Sequence, residues 1–250
     1  MLLQYRAAAV AGLGTQLFWG LIRVMVYEGF YRSSASPQPM AYADVVTYVW
    51  LGQALFAMLP WSIDGEVRQM VRDGSVAYEL LRPLNLYGIW FARQVAARSA
   101  PTLLRSVPLA IVALALLGMR PPPTWASAGA FAVALLGALL LSSAFTALVS
   151  ATMMWTIAGD GMARLVPALA LLATGIIVPL PLYPEWAQCL FALLPFRSMA
   201  DVPFRIYTGH IALDRALVEL ACQSAWLVAL IALGSAVTAR GVRRLVVQGG

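Results

Sequence analysis

Hydrophobic and polar positions divide this chain into long uncharged stretches separated by short charged ones. Stretches near 20 residues are what a helix rising 1.5 Å per residue needs to cross about 30 Å of hydrocarbon. Six can be marked, at about 7–27, 45–63, 101–119, 125–157, 165–178 and 215–239. The first contains Arg23 and follows a short lead-in suited to the membrane interface. A secretory signal peptide is its rival reading, but no small-x-small cleavage site lies between the apolar stretch and Glu28. The second is uncharged, with Trp50 and Trp61 toward its ends, where indoles favour the interface. The third holds Pro101, Arg105 and Pro108, which predict a kinked helix starting in the headgroup layer. The fourth exceeds a hydrocarbon core and must tilt or project. The fifth is expected to stop where Pro179 and Pro181 forbid regular helix.

Two regions fit no span. Residues 64–83 hold seven of the chain's 28 acidic and basic residues. Val67, Met70 and Val71 lie at i, i+3, i+4 and predict a short helix with one apolar stripe, ended by Gly74. Val76 and Leu80 predict a second short turn before Pro83. This segment reads either as an amphipathic connector on the membrane surface or as a surface that docks a partner. Residues 179–209 are too apolar for an aqueous loop, yet Pro179, Pro181, Pro184 and Pro195 break them, and Trp186 to Leu194 is too short to cross. A re-entrant or interfacial hairpin packed against other helices is expected, because broken backbone at membrane depth needs protein or a wet cavity around it.

Composition turns these stretches into a membrane protein. Of 250 residues, 61% are hydrophobic and 11% charged, against roughly 25% charged in soluble chains, and mean hydropathy is +0.79. All 17 basic residues are arginine. With the N-terminus in the cytoplasm, ten arginines fall in inner loops and tails and five in outer ones, which predicts that both termini and residues 64–83 are cytoplasmic. Loop arginines demanded by topology also account for the net charge of +6, so no nucleic-acid partner is implied. Lacking lysine, the chain has no P-loop lysine for nucleotide phosphates. ATP and Mg, if used, would sit on another chain.

Catalytic and metal chemistry find little material. One histidine, His210, and two distant cysteines, Cys189 and Cys222, make no zinc or redox motif, and neither a metal, a cofactor nor a catalytic residue is expected in this chain. His210 and Asp214 are four apart and read as a cap, Glu219 as a carboxylate held by the start of the last helix, and Asp160 between two glycines as a turn. Arg23 and Glu28, five apart, should not pair. An arginine inside a span is a functional candidate by default, so Arg23 is a candidate pathway residue.

Two stretches carry a family likeness. The run from Arg72 through Gly74, Leu80, Leu81, Arg82 and Pro83 to Asn85, followed by Arg93 and Arg98, resembles the R-x-G-x-x-x-x-x-L-L-R-P-x-N loop of the small six-span ABC-2 type permeases. The run from Gly175 through Pro179, Tyr183, Pro184 and Trp186, with Leu194-Pro195-Phe196 and Tyr207-Thr-Gly209, is similar to that family's outer pattern.

The resemblance implies an all-α integral membrane protein with six spans, a cytoplasmic coupling helix and an outer re-entrant hairpin before the last span. It implies a subunit of an exporter in the bacterial cytoplasmic (inner) membrane, with no ATPase site of its own. A second permease, identical or different, and two ATP-binding subunits would complete the assembly within membrane lipid. Coupling then falls on Glu66, Arg68, Met70, Arg72, Asp73, Gly74, Glu79, Arg82 and Pro83, and the outer hairpin on Gly175, Pro179, Pro181, Pro184, Trp186 and Pro195. A mostly apolar interior suits an amphiphilic or hydrophobic substrate such as a drug-like molecule or lipid. The competing readings are a scaffold without a pathway and a lipid-modifying enzyme, and the latter lacks the acidic, His or Cys cluster it would need.

Overall fold

The computed structural model describes residues 2–81, 85–155 and 160–243, and among them the regular structure is all helical, without strands. The helices are α1 Leu2–Ser33, α2 Tyr42–Ala54, α3 Gly65–Asp73, α4 Val76–Leu80, α5 Leu86–Leu116, α6 Trp125–Thr152, α7 Asp160–Thr174, α8 Glu185–Ala192, α9 Asp201–Tyr207 and α10 Leu213–Val242. Three are long and apolar enough to cross a membrane: α5, α6 with its 3-10 extension to Trp155, and α10. In α6 the most apolar window is 56% buried, against 17% in α5 and α10, so α6 is the central column and the other two face outward.

Several boundaries differ from the hydropathy reading. The stretch 45–63 is not one helix: α2 ends at Ala54, a 3-10 turn covers Phe56–Met58, and Leu59 is extended. Pro60 disfavours helical geometry in the residue before it. Nor does the third stretch begin at Pro101, because α5 starts at Leu86, where the Asn85 side chain accepts from the Gly88 amide at 3.0 Å. Arg93 and Arg98 are therefore helical residues, which a rule that cuts spans at charges cannot see. α1 runs without interruption from Leu2, so the lead-in is not a separate element. α7 stops at Thr174 because Gly175 takes φ of 82°, a left-handed geometry that costs glycine nothing, four residues before Pro179. Asp160, expected in a turn, is the first residue of α7.

Close approach between helices is arranged by glycines. A Cβ on Gly234 of α10 would lie 2.1 Å from the Tyr87 ring of α5, one on Gly137 of α6 2.2 Å from the Gln223 amide of α10, and one on Gly20 of α1 2.3 Å from Trp50 of α2. Trp50 is thus no interfacial belt residue. It is fully buried, and its indole N–H donates to the Leu117 carbonyl at 3.1 Å. Tyr87 Oη donates to the Ala144 carbonyl at 3.0 Å, and Gln223 Nε2 to the carbonyls of Ser198 at 2.8 Å and Ala134 at 3.1 Å. The polar ends of the three side chains seated on these glycines thereby tie α2 to the end of α5, α5 to α6, and α10 to α6 and the following hairpin.

Residues after α7 form a proline-punctuated hairpin: a 3-10 turn at Leu180–Leu182, α8 behind Pro184, a second turn from Pro195 to Met199, then α9. Val202, Phe204 and Ile206 are fully buried, so α9 is a core element, whereas Trp186 is exposed. The hairpin gathers with the α1–α2 and α5–α6 connections at one end of the molecule, where His210 meets Asp44 at 3.6 Å. Glu219 is held by Arg197 of the hairpin. Arg23 donates to the Ile176 carbonyl at 3.0 Å, just past the end of α7, while Glu28 pairs with Arg32.

Candidate functional site

At the opposite end the chain between α2 and α5 folds into α3 and α4. Asp64 caps α3, its carboxylate accepting from the amides of Glu66 at 2.9 Å and Val67 at 3.2 Å. Gly74, with φ of 77°, ends it as the sequence indicated. The turn into α4 is held by Asp73, whose carboxylate accepts from the Ser75 amide at 3.0 Å and the Ser75 hydroxyl at 2.6 Å. These hydrogen bonds favour the ionised form and lower the Asp73 pKa.

The apolar stripe points inward. Val67 is fully buried with Val76, Tyr87, Trp90, Ala147 and Ala151, and Met70 and Val71 pack against this cluster. Met70 therefore belongs to the seat of α3 on the feet of α5 and α6, and it does not present the stripe to a partner. The exposed side carries Glu66, Arg72 and Asp73, together with Tyr78 and Leu81, which are 74% and 82% exposed. Arg68 is half-buried. Glu79 accepts from the Trp90 indole at 2.8 Å, which ties α4 to α5. Arg82 and Pro83 lie outside the described residues.

A polar chain that the spacing of the loop did not reveal joins this unit to the bundle. Gln94 Nε2 donates to Asp64 Oδ2 at 2.6 Å, Arg98 donates to Gln94 Oε1, and Arg98 Nη2 donates to Thr146 Oγ1 of α6 at 2.8 Å. Arg93 pairs with Asp64 at 3.6 Å and with Glu66. The signal available for it was a helical one: Trp90, Gln94 and Arg98 recur at i, i+4, i+8, one face of a helix once α5 is known to start at Leu86. α3 is consequently fixed to two long helices by a buried apolar contact and a hydrogen-bonded chain, while its far side stays in solvent. Such a unit can pass a displacement from an outside contact into the helices beneath it.

Above this seat an open cavity of about 730 Å³ lies between α1, α5 and the chain following α2, and Gln16, Phe56, Trp61, Arg98 and Arg105 line it.

Among the described residues three helices are long and apolar enough to cross a membrane, with α5 and α10 set about the more buried α6, as in a multi-pass membrane protein. Residues 14–249 match the family model described as ABC-2 family transporter protein, and the chain belongs to that family. No curated protein and no solved structure matches it. Membership makes it a membrane permease component of an ATP-binding-cassette transporter, a transport subunit and not the ATPase.

Proposed function

We propose that the chain is the permease of an exporter in the bacterial cytoplasmic membrane, crossing it six times with both termini inside. It works with two ATP-binding subunits that hold ATP and Mg, beside a second permease of the same or another kind. α3 and α4 act as the coupling element, and the path carries an amphiphilic or hydrophobic substrate. The arrangement of α3 carries this reading: a short, charge-rich helix, solvated on one side and locked to α5 and α6 on the other through Val67, Trp90 and the Asp64–Gln94–Arg98–Thr146 chain. A connector resting on a membrane surface would turn its apolar stripe toward lipid, whereas this stripe is used up against the protein itself. Glycine-ended α7 and the short α8 support a hairpin that returns to the face it left, since eight residues of helix reach only about 12 Å.

The test is copurification of the permease with its ATPase, followed by ATP turnover in vesicles with and without added amphiphile. Association plus stimulated turnover is the expected result. A permease that binds no ATPase under any condition would overturn the assignment.

A further inference from the structure

From the cavity above α3 we infer that this chain binds the anionic headgroup of an amphiphile there, a substrate or lipid site that rests on the permease reading and narrows its substrate class. Gln94, Ala97, Arg98, Pro101 and Arg105 line it from α5, and their i, i+3, i+4, i+7, i+11 spacing makes them one stripe of that helix. Gln16 of α1 faces them, and Phe56 and Trp61 add an apolar wall. A volume of about 730 Å³ lies in the range of small-molecule sites.

Arg105 is the residue that asks for a ligand. It is an exposed residue eleven positions before the end of α5 at Leu116, about 16 Å along the helix, which is the middle of a 30 Å hydrocarbon layer when the outer edge of that layer is set at Leu116. An arginine at that depth is costly unless water or an anion reaches it. The other arginines of this part of the fold are satisfied differently: Arg93 by Asp64 and Glu66, Arg98 by Gln94 and Thr146, and Arg23 by the Ile176 carbonyl. Among the described residues Arg105 has neither a carboxylate nor a hydrogen-bond acceptor. Its guanidinium rests beside Gly12 of α1, where a Cβ would meet Arg105 Cζ in ordinary contact at 3.5 Å and a larger side chain would press on it.

A second donor supports the same chemistry. Arg98, 7% exposed, also lines the cavity and adds positive charge there, its terminal nitrogens held by Gln94 and Thr146 and only its buried Nε without an acceptor. The two acids of the lining, Asp64 and Glu66, sit at the α3 end, where Arg93 engages both and Gln94 joins Asp64 to Arg98, so Arg105 is the cationic donor of the lining that has no compensating carboxylate among the described residues. Phosphate and carboxylate are the groups that guanidinium donors bind best. An amphiphile is favoured over a free anion because Leu103, Leu104 and Val107, which flank Arg105 on α5, are more than half exposed and turn an apolar surface outward where a tail could remain in lipid.

The test is equilibrium binding of tail-labelled phosphatidylglycerol to the purified full-length permease, with tail-labelled phosphatidylcholine as the neutral comparison and inorganic phosphate as competitor. Wild type should bind phosphatidylglycerol at least about tenfold more tightly than phosphatidylcholine, the size expected for one charge-assisted contact. Arg105→Gln should remove that preference, Arg105→Lys should keep part of it, and Gly12→Leu, which presses on the guanidinium from α1, should weaken it with Arg105 intact. A thermal melt of each variant shows that it is folded. Equal binding of the two lipids by wild type, or an unchanged preference in Arg105→Gln, overturns the inference. So does displacement of the lipid by millimolar inorganic phosphate, which would mark a free-anion site. ATPase association and stimulated turnover, measured on the same preparations, separate the two claims: their loss sinks the permease reading, while their persistence without lipid preference sinks only this site.

Discussion

Individual side chains decide how closely the long helices approach. Gly234 admits the Tyr87 ring into the α5–α10 joint, and the ring's hydroxyl then reaches the Ala144 carbonyl. Gly234→Ala should destabilise the protein by about 1–3 kcal/mol, the range seen when a packed contact is overfilled. Gly14→Ala is the control, since nothing lies within 4 Å of its would-be Cβ and replacing a mid-helix glycine gains about 0.5–1 kcal/mol. Opposite shifts of the detergent melting temperature are expected, and equal shifts would refute the packing argument. Asp73 gives a second test. Hydrogen bonds from Ser75 lower its pKa in the folded loop, so their support is present above the unfolded value of about 3.9 and is lost as pH falls through the lower folded value. Protection of the Ser75 amide from hydrogen exchange, relative to its intrinsic rate at each pH, should fall on that acid limb, and Asp73→Ala should show little protection at neutral pH.

Among the elements, α3 and α4 show best which parts of the sequence could be read directly. Gly74 as a helix end, the turn of Val76 and Leu80, and the Val67–Met70–Val71 stripe are local features, and local rules recover them. The direction in which the stripe faces is a tertiary property set by Trp90 and Ala147, residues that no window around Met70 contains. For the same reason hydropathy sets the start of α5 fifteen residues too late: it registers the charges of Arg93 and Arg98 and misses the cap at Asn85. Trp50 looked interfacial because its burial depends on Gly20, thirty positions away. The experimental consequence is a sorting of variants. Arg72→Glu and Leu81→Asp alter the exposed side and should reduce ATPase copurification while leaving the melting temperature within about 1 kcal/mol of wild type, as expected for surface changes. Val67→Asp puts a charge into the fully buried seat and should cost about 3 kcal/mol or more in loop stability. Met70→Asp should resemble Val67→Asp in kind, and if it behaves instead like Arg72→Glu the seat has been misassigned.

For the whole molecule, the prediction with the widest reach concerns sidedness. In a background with Cys189 and Cys222 replaced by serine, a cysteine at Ser36 should react with an impermeant reagent added outside, and one at Ser75 only after permeabilisation. The reverse pattern would invert the arginine-based orientation. Sidedness also gives α5 a mechanical meaning. Its 31 residues form a rod about 46 Å long, clamped at one end by α3 and tied near the other by Trp50 to the Leu117 carbonyl. A lever of that length multiplies angle into travel: a tilt of about 5° at the foot sweeps the far end through about 4 Å. Pro101 and Pro108 sit inside the rod and withhold two backbone hydrogen bonds from it, so it has two compliant points along its shaft. If α3 couples as proposed, a push delivered there would be partly transmitted and partly absorbed at these points, and stroke at the distant end would be traded against bending in the middle.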